Sequence, residues 1–239
     1  MAAVEPCRGI AVRKRVGRFE LRAIDDHVEL ENTTGGLDDS VWLEAEAIAE
    51  NFARLLSLKW GDVYVHMPQP WERESDPGLT TIGAGLFVSC WADEVKGHVY
   101  SQADEVERQT AAEWATEFLA IADDPTFVRS FDYLHNALLS ARSAEAEGCL
   151  PQLSKAIEAI ENYFGGEAQA GKTLQMLREI KYVKRLANLP FRDERHAPMP
   201  DDRIVKIIDS EKKKAIDITT GFIEAYLTYI REEREPTLR

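Results

Sequence analysis

The chain has 239 residues, 44% of them apolar, and a formal net charge of −13. That length allows one large domain or two small ones with an ordinary core. The acidic balance excludes a protein that binds nucleic acid over its whole surface, since such a domain carries a basic face. Cys7, Cys90 and Cys149 lie far apart and form no Cys-x-x-Cys pair. This excludes a disulfide framework or a structural zinc site and points to a reducing compartment.

In chain order, the first hundred residues read as a small mixed unit. Val12 to Val16, Arg18 to Ile24 and His27 to Glu31 alternate apolar and polar residues around Gly17 and Asp25-Asp26, as short antiparallel strands with tight turns do. Residues Asp39 to Leu58 place Val41, Ala45, Ile48, Phe52 and Leu55 at helical spacing, with Asp39 or Ser40 as the expected N-cap. Asp62 to His66 and Gly85 to Trp91 read as further strands. Between them a Pro-, Trp- and charge-rich loop is expected from Met67 to Gly78, and its Trp71 is the aromatic residue expected to touch a protein partner.

From Asp104 the pattern turns helical. Val106, Ala111, Trp114, Phe118 and Ile121 mark one amphipathic helix. Asp124-Pro125 supplies an N-cap and first-position pair for the next, which Gly148 is expected to close. A third helix begins at Pro151 and stops at Gly165-Gly166; a fourth runs unbroken from about Glu167 to Pro190; a last one keeps an apolar stripe from Ile204 to Ile230. The expected fold class is α+β: a mixed α/β unit over residues 1–100, then an all-α bundle over 104–235. No apolar run approaches the roughly 20 residues that span a bilayer, and no apolar stretch follows the basic N-terminus. A cytoplasmic protein without membrane association is therefore expected.

Two segments could carry chemistry. Gly166 to Thr173 spells the phosphate-loop pattern G-x-x-x-x-G-K-T. That loop works between a buried strand and a helix, where backbone N–H groups face phosphates. Here an amphipathic helical pattern precedes it, so a Gly-Gly helix stop is the favoured reading. The second segment, Leu186 to Pro198, places Arg192, Asp193, Arg195 and His196 between prolines. A guanidinium that holds a phosphate and an imidazole that moves protons suffice for metal-free phosphodiester cleavage. The alternative is an inter-helix loop whose arginines pair with Asp193, Glu194, Asp201 or Asp202. Lys181, Lys184, Arg185 and Arg195 extend a basic strip that could contact nucleic acid or simply form a solvated helix face. The histidines show no metal-ligand spacing, so neither a metal nor a cofactor is expected.

Residues from about 104 to 235 resemble the HEPN superfamily of helical bundles, through the Arg192 and His196 element before a long apolar helix. The run Ala156 to Glu167, with Leu186-Ala-Asn188 and Arg195-His-Ala197, is also similar to bacterial proteins filed as methylamine-utilisation protein J. The HEPN resemblance implies a metal-independent endoribonuclease of a toxin–antitoxin, antiviral-defence or RNA-processing system. In it His196 would transfer protons, Arg192 would bind phosphate and Asp193 would be the polar residue after the arginine. It also implies a homodimer through the helical domain, with RNA as partner. The spacing between Arg192 and His196 is shorter than is usual in that group, so a non-catalytic member used for binding or assembly fits the same residues.

Overall fold

The computed structural model describes residues 12–24, 27–34, 38–60, 63–66, 71–72, 80–88, 105–142, 148–188 and 209–234. By their contacts these fall into two units, with the division inside the short 3₁₀ turn Leu119–Ile121. The arrangement is α+β, a sheet-containing unit followed by a helical bundle.

In the first unit β1 (Val12–Val16), β2 (Phe19–Ile24) and β3 (His27–Asn32) form an antiparallel meander. Val16 pairs with Phe19, so Gly17 and Arg18 alone make the first turn. Gly17 has φ 56°, the left-handed conformation that such a two-residue hairpin turn demands and a side chain resists. β4 (Val63–His66), β5 (Trp71–Glu72) and β6 (Thr80–Val88) complete the sheet in the order β1-β2-β3-β6-β4, with β5 also on β6 and every pairing antiparallel. Two expectations change here. Trp71 and Glu72, placed by sequence in a loop, pair with Thr81 and Thr80, and β6 starts at Thr80 instead of Gly85. Gly83, Ala84 and Gly85 blur the alternation by which a strand is recognised.

Phe19, Leu21 and Ala23 of β2 and Val28 and Leu30 of β3 are buried, in register as Leu21–Leu30 and Ala23–Val28. α1 (Asp39–Trp60) packs on β3, β4 and β6, and its buried stripe includes Val41, Ala45, Ile48, Phe52 and Leu55, the residues whose spacing announces it. The cap is Asp38, in place of the expected Asp39 or Ser40: its Oδ1 accepts from Ser40 Oγ at 2.6 Å and from the Val41 N–H at 3.0 Å. Those two bonds, the serine's first, hold the Asp38 carboxyl below its ordinary range. α2 (Glu105–Phe118) contacts α1 and β1 and so groups with the sheet. Lys14 Nζ donates to the Thr116 carbonyl at 2.6 Å, and Lys59 Nζ lies 4.3 Å from the Trp114 ring centre.

The second unit is a bundle of α3 (Pro125–Arg142), α4 (Cys149–Phe164), α5 (Glu167–Thr173), α6 (Leu177–Ala187) and α7 (Asp209–Arg234). α4 touches each of the other four, because its buried residues, among them Leu150, Leu153, Ala156, Ile157 and Ile160, cover a wide face of the helix. As expected, Asp124 caps α3, with Pro125 in the first turn: its Oδ1 accepts from the Thr126 and Phe127 N–H groups at 3.0 and 3.1 Å. Gly148 corrects another expectation, since it is the N-cap of α4 and the described part of α3 ends at Arg142. α4 starts at Cys149, which leaves Pro151 in the first turn, where its missing N–H has no carbonyl to meet. Among the described residues no helix is long and apolar enough to cross a membrane.

Candidate nucleic-acid interface

The fourth predicted helix is two helices, α5 and α6, and the break explains the phosphate-loop pattern. α4 ends with Gly165 at φ 81°; the Gly165 N–H donates to the Asn162 carbonyl at 3.3 Å and the Gly166 N–H to the Glu161 carbonyl at 2.8 Å. This pair of bonds is the Schellman stop, so the first glycine of the pattern ends one helix and opens the next. Gly171 and Lys172 then lie within α5. A second stop of the same kind follows: the Met176 N–H donates to the Gly171 carbonyl at 2.9 Å, and Gln175 takes φ 57°. Gln175 fills a place usually held by glycine, at a cost of about 1–2 kcal/mol, and no glycine or proline in the sequence marks the break.

α6 buries Ile180, Val183, Leu186 and Ala187 and exposes Arg178, Glu179, Lys181 and Arg185. Lys184 differs from its neighbours. Its Nζ donates to Glu161 Oε1 and Oε2 at 3.2 and 2.9 Å and lies 2.9 Å from Glu167 Oε2. Expected among the nucleic-acid contacts, Lys184 thus ties α6 to α4 and α5. Lys181 reaches Glu167 only at 3.9 Å and stays exposed.

The ionisation of this cluster follows from its burial. Desolvation raises the Glu161 carboxyl above its ordinary value, against the pull of Lys184. For Lys184 burial acts downward, but the hydrogen bonds it donates to Glu167 and Glu161 outweigh it, and its pKa is raised above 10.5. A lysine whose folded pKa exceeds its unfolded one stabilises the protein fully below the unfolded value and loses that contribution as pH rises through the folded value. Lys184→Met is therefore expected to flatten the fall in stability above pH 10.5, measured by urea unfolding across alkaline pH. An unchanged alkaline limb would show that the cluster contributes nothing.

The expected strip gains a member from α7. Lys214 Nζ sits 4.6 Å from the ring centre of Tyr182 on α6, and the Arg185 guanidinium lies 5.8 Å from the same ring. Lys213 and Lys214 are exposed, while Lys212 is held by Asp209 at 3.3 Å. The result is a basic surface with an aromatic ring at its centre, built from the end of α6 and the start of α7. The sequence does not mark Lys214 as part of this strip, because only the packing of α6 on α7 brings it to Tyr182.

Residues 189–208 connect these two helix ends. Arg192, Asp193, Arg195 and His196 all belong to that connection and lie outside the described residues. The chain matches no protein-family model, no curated protein and no solved structure.

Proposed function

We propose that the second unit is a HEPN-like RNA-binding bundle that cleaves RNA without a metal, as a dimer, in a prokaryotic stress or defence setting. The observation that supports this reading is the Lys214–Tyr182–Arg185 cluster at both ends of the connection carrying Arg192 and His196. Exposed cations neutralise phosphates and release counterions, and a tyrosine ring offers a face on which a base can stack. On an acidic chain, such a local patch is where a polyanion would be tolerated.

In the reaction, His196 takes the proton of an RNA 2′-hydroxyl and the oxygen attacks the adjacent phosphorus. The bond to the 5′-oxygen breaks as that oxygen takes a proton from water, and the protonated His196 returns its own proton to solvent, leaving a cyclic phosphate and a free 5′-hydroxyl. Arg192 stabilises the charge that builds on the phosphate oxygens.

Labelled RNA incubated with the protein in EDTA tests this directly. Wild type is expected to cleave, His196→Ala to bind without cleaving, and Arg185→Ala with Lys214→Ala to bind more weakly with a shallower salt dependence. Equal cleavage by wild type and His196→Ala would remove the catalytic assignment. Absence of both binding and cleavage would leave the bundle as an assembly module.

A further inference from the structure

A separate groove runs between α3 and α4, with a volume of about 450 Å³. This lies within the ~300–1,000 Å³ typical of small-molecule sites. α3 contributes Arg129 and Tyr133, four residues apart on one face, and α4 contributes Lys155, Glu158, Asn162 and Tyr163. Beneath them the helices meet closely, with Ser130 Oγ donating to the Ala156 carbonyl at 2.8 Å. That contact fixes the floor, so the walls are held on rigid elements.

The chemistry of the walls is asymmetric. Arg129 is exposed and Lys155 is half-exposed, and neither makes an ion pair within the described residues. Lys155 Nζ lies 5.8 Å from the Tyr133 ring centre. Tyr163 is 47% exposed at the other end of the groove, so a second aromatic face is open to a ligand. Glu158 is the acidic side chain of the lining, and its Oε1 accepts from Ser154 Oγ at 2.9 Å. Cations without an ion pair among the described residues, flanked by aromatic rings in a chain of net charge −13, are a site for an anion that carries a planar group.

We infer that the α3–α4 groove binds a nucleoside phosphate, either free or as the terminal nucleotide of an RNA strand. Arg129 and Lys155 hold the phosphate, Tyr163 stacks on the base, and Glu158 with Asn162 offers hydrogen bonds to ribose hydroxyls. This inference stands apart from the cleavage reading, since none of its residues belongs to the α6–α7 patch or to residues 189–208.

Isothermal titration calorimetry with adenosine 5′-monophosphate, adenosine and inorganic phosphate tests it on the full chain. The monophosphate is expected to bind at least about tenfold more tightly than either of the others, since adenosine lacks the charge-assisted contacts and inorganic phosphate lacks the stacking on Tyr163. Arg129→Ala and Lys155→Ala are each expected to weaken it by about tenfold, with unchanged circular dichroism because both side chains reach solvent. His196→Ala should bind the monophosphate as wild type does, which separates this result from the RNA-cleavage test. A short single-stranded RNA with a 5′-phosphate, compared with its 5′-hydroxyl twin, distinguishes a free nucleotide from an RNA end. The inference is overturned if neither the monophosphate nor the 5′-phosphorylated RNA binds, if adenosine binds as well as its monophosphate, or if both alanine variants bind like wild type.

Discussion

Asp124→Ala is expected to destabilise the second unit by about 2–4 kcal/mol, through two losses at one carboxylate. Asp124 Oδ1 caps the first turn of α3 and also accepts from the Tyr226 hydroxyl of α7 at 2.8 Å, across 102 residues of sequence. Removing an N-cap costs about 0.5–2 kcal/mol, and a buried hydroxyl left without its acceptor costs about 1–3 kcal/mol. Tyr226 is fully buried against Tyr163 and Phe164, so water cannot replace the lost acceptor without disturbing that packing. Burial first, and then the bond to Asp124, push the Tyr226 hydroxyl pKa upward, so at neutral pH the hydroxyl keeps its proton and donates it to Asp124. Asp124→Asn keeps an oxygen for the cap and is expected to cost less than half as much. Tyr226→Phe removes donor and hydroxyl together and should cost about 1 kcal/mol. Urea unfolding followed by circular dichroism measures all three. Equal stability of Asp124→Ala and wild type would sink the claim that this residue joins α3 to α7.

The helix stripes and the first three strands are legible in the sequence because each rests on local periodicity. Phe19, Leu21 and Ala23 alternate, and Leu153, Ile157 and Ile160 recur with the helical turn. What periodicity misses depends on pairing to a neighbouring strand or on backbone conformation. β5, two residues long, shows no period of its own and exists because Trp71 and Glu72 pair with Thr81 and Thr80, and the α5–α6 break exists because Gln175 takes a conformation its type rarely adopts. The candidate interface shows the same division. The basic strip of α6 is visible as composition, yet composition does not reveal that Lys184 is spent on Glu161 and Glu167 or that Lys214 joins Tyr182. Charge alone does not distinguish a cation that faces solvent from one that clamps helices, because both are written as lysine.

Gly171 sharpens that point, since in the sequence it is the glycine before the lysine of a phosphate-loop pattern. In the fold it is buried in α5, and a Cβ built on it would lie 2.7 Å from Leu177 Cδ1, 2.8 Å from Leu177 Cα and 2.9 Å from Leu177 Cβ. A side-chain methyl can swing aside, but a Cα cannot, so any side chain here drives α5 away from the start of α6. Gly171→Ala is therefore expected to destabilise the second unit by about 1–3 kcal/mol, even though alanine in a helix interior normally gains up to about 1 kcal/mol over glycine. The displacement would also pull Glu167 from Lys184 and add to the loss. Lys172→Ala supplies the contrast: Lys172 is exposed, and its removal should leave stability within about 0.5 kcal/mol of wild type. A nucleotide-binding loop makes the opposite forecast, in which Lys172→Ala abolishes ATP or GTP binding and Gly171→Ala acts on that binding more than on folding. Thermal unfolding of the two variants, with and without ATP, decides between a glycine kept for phosphate and one kept so that two helices can touch.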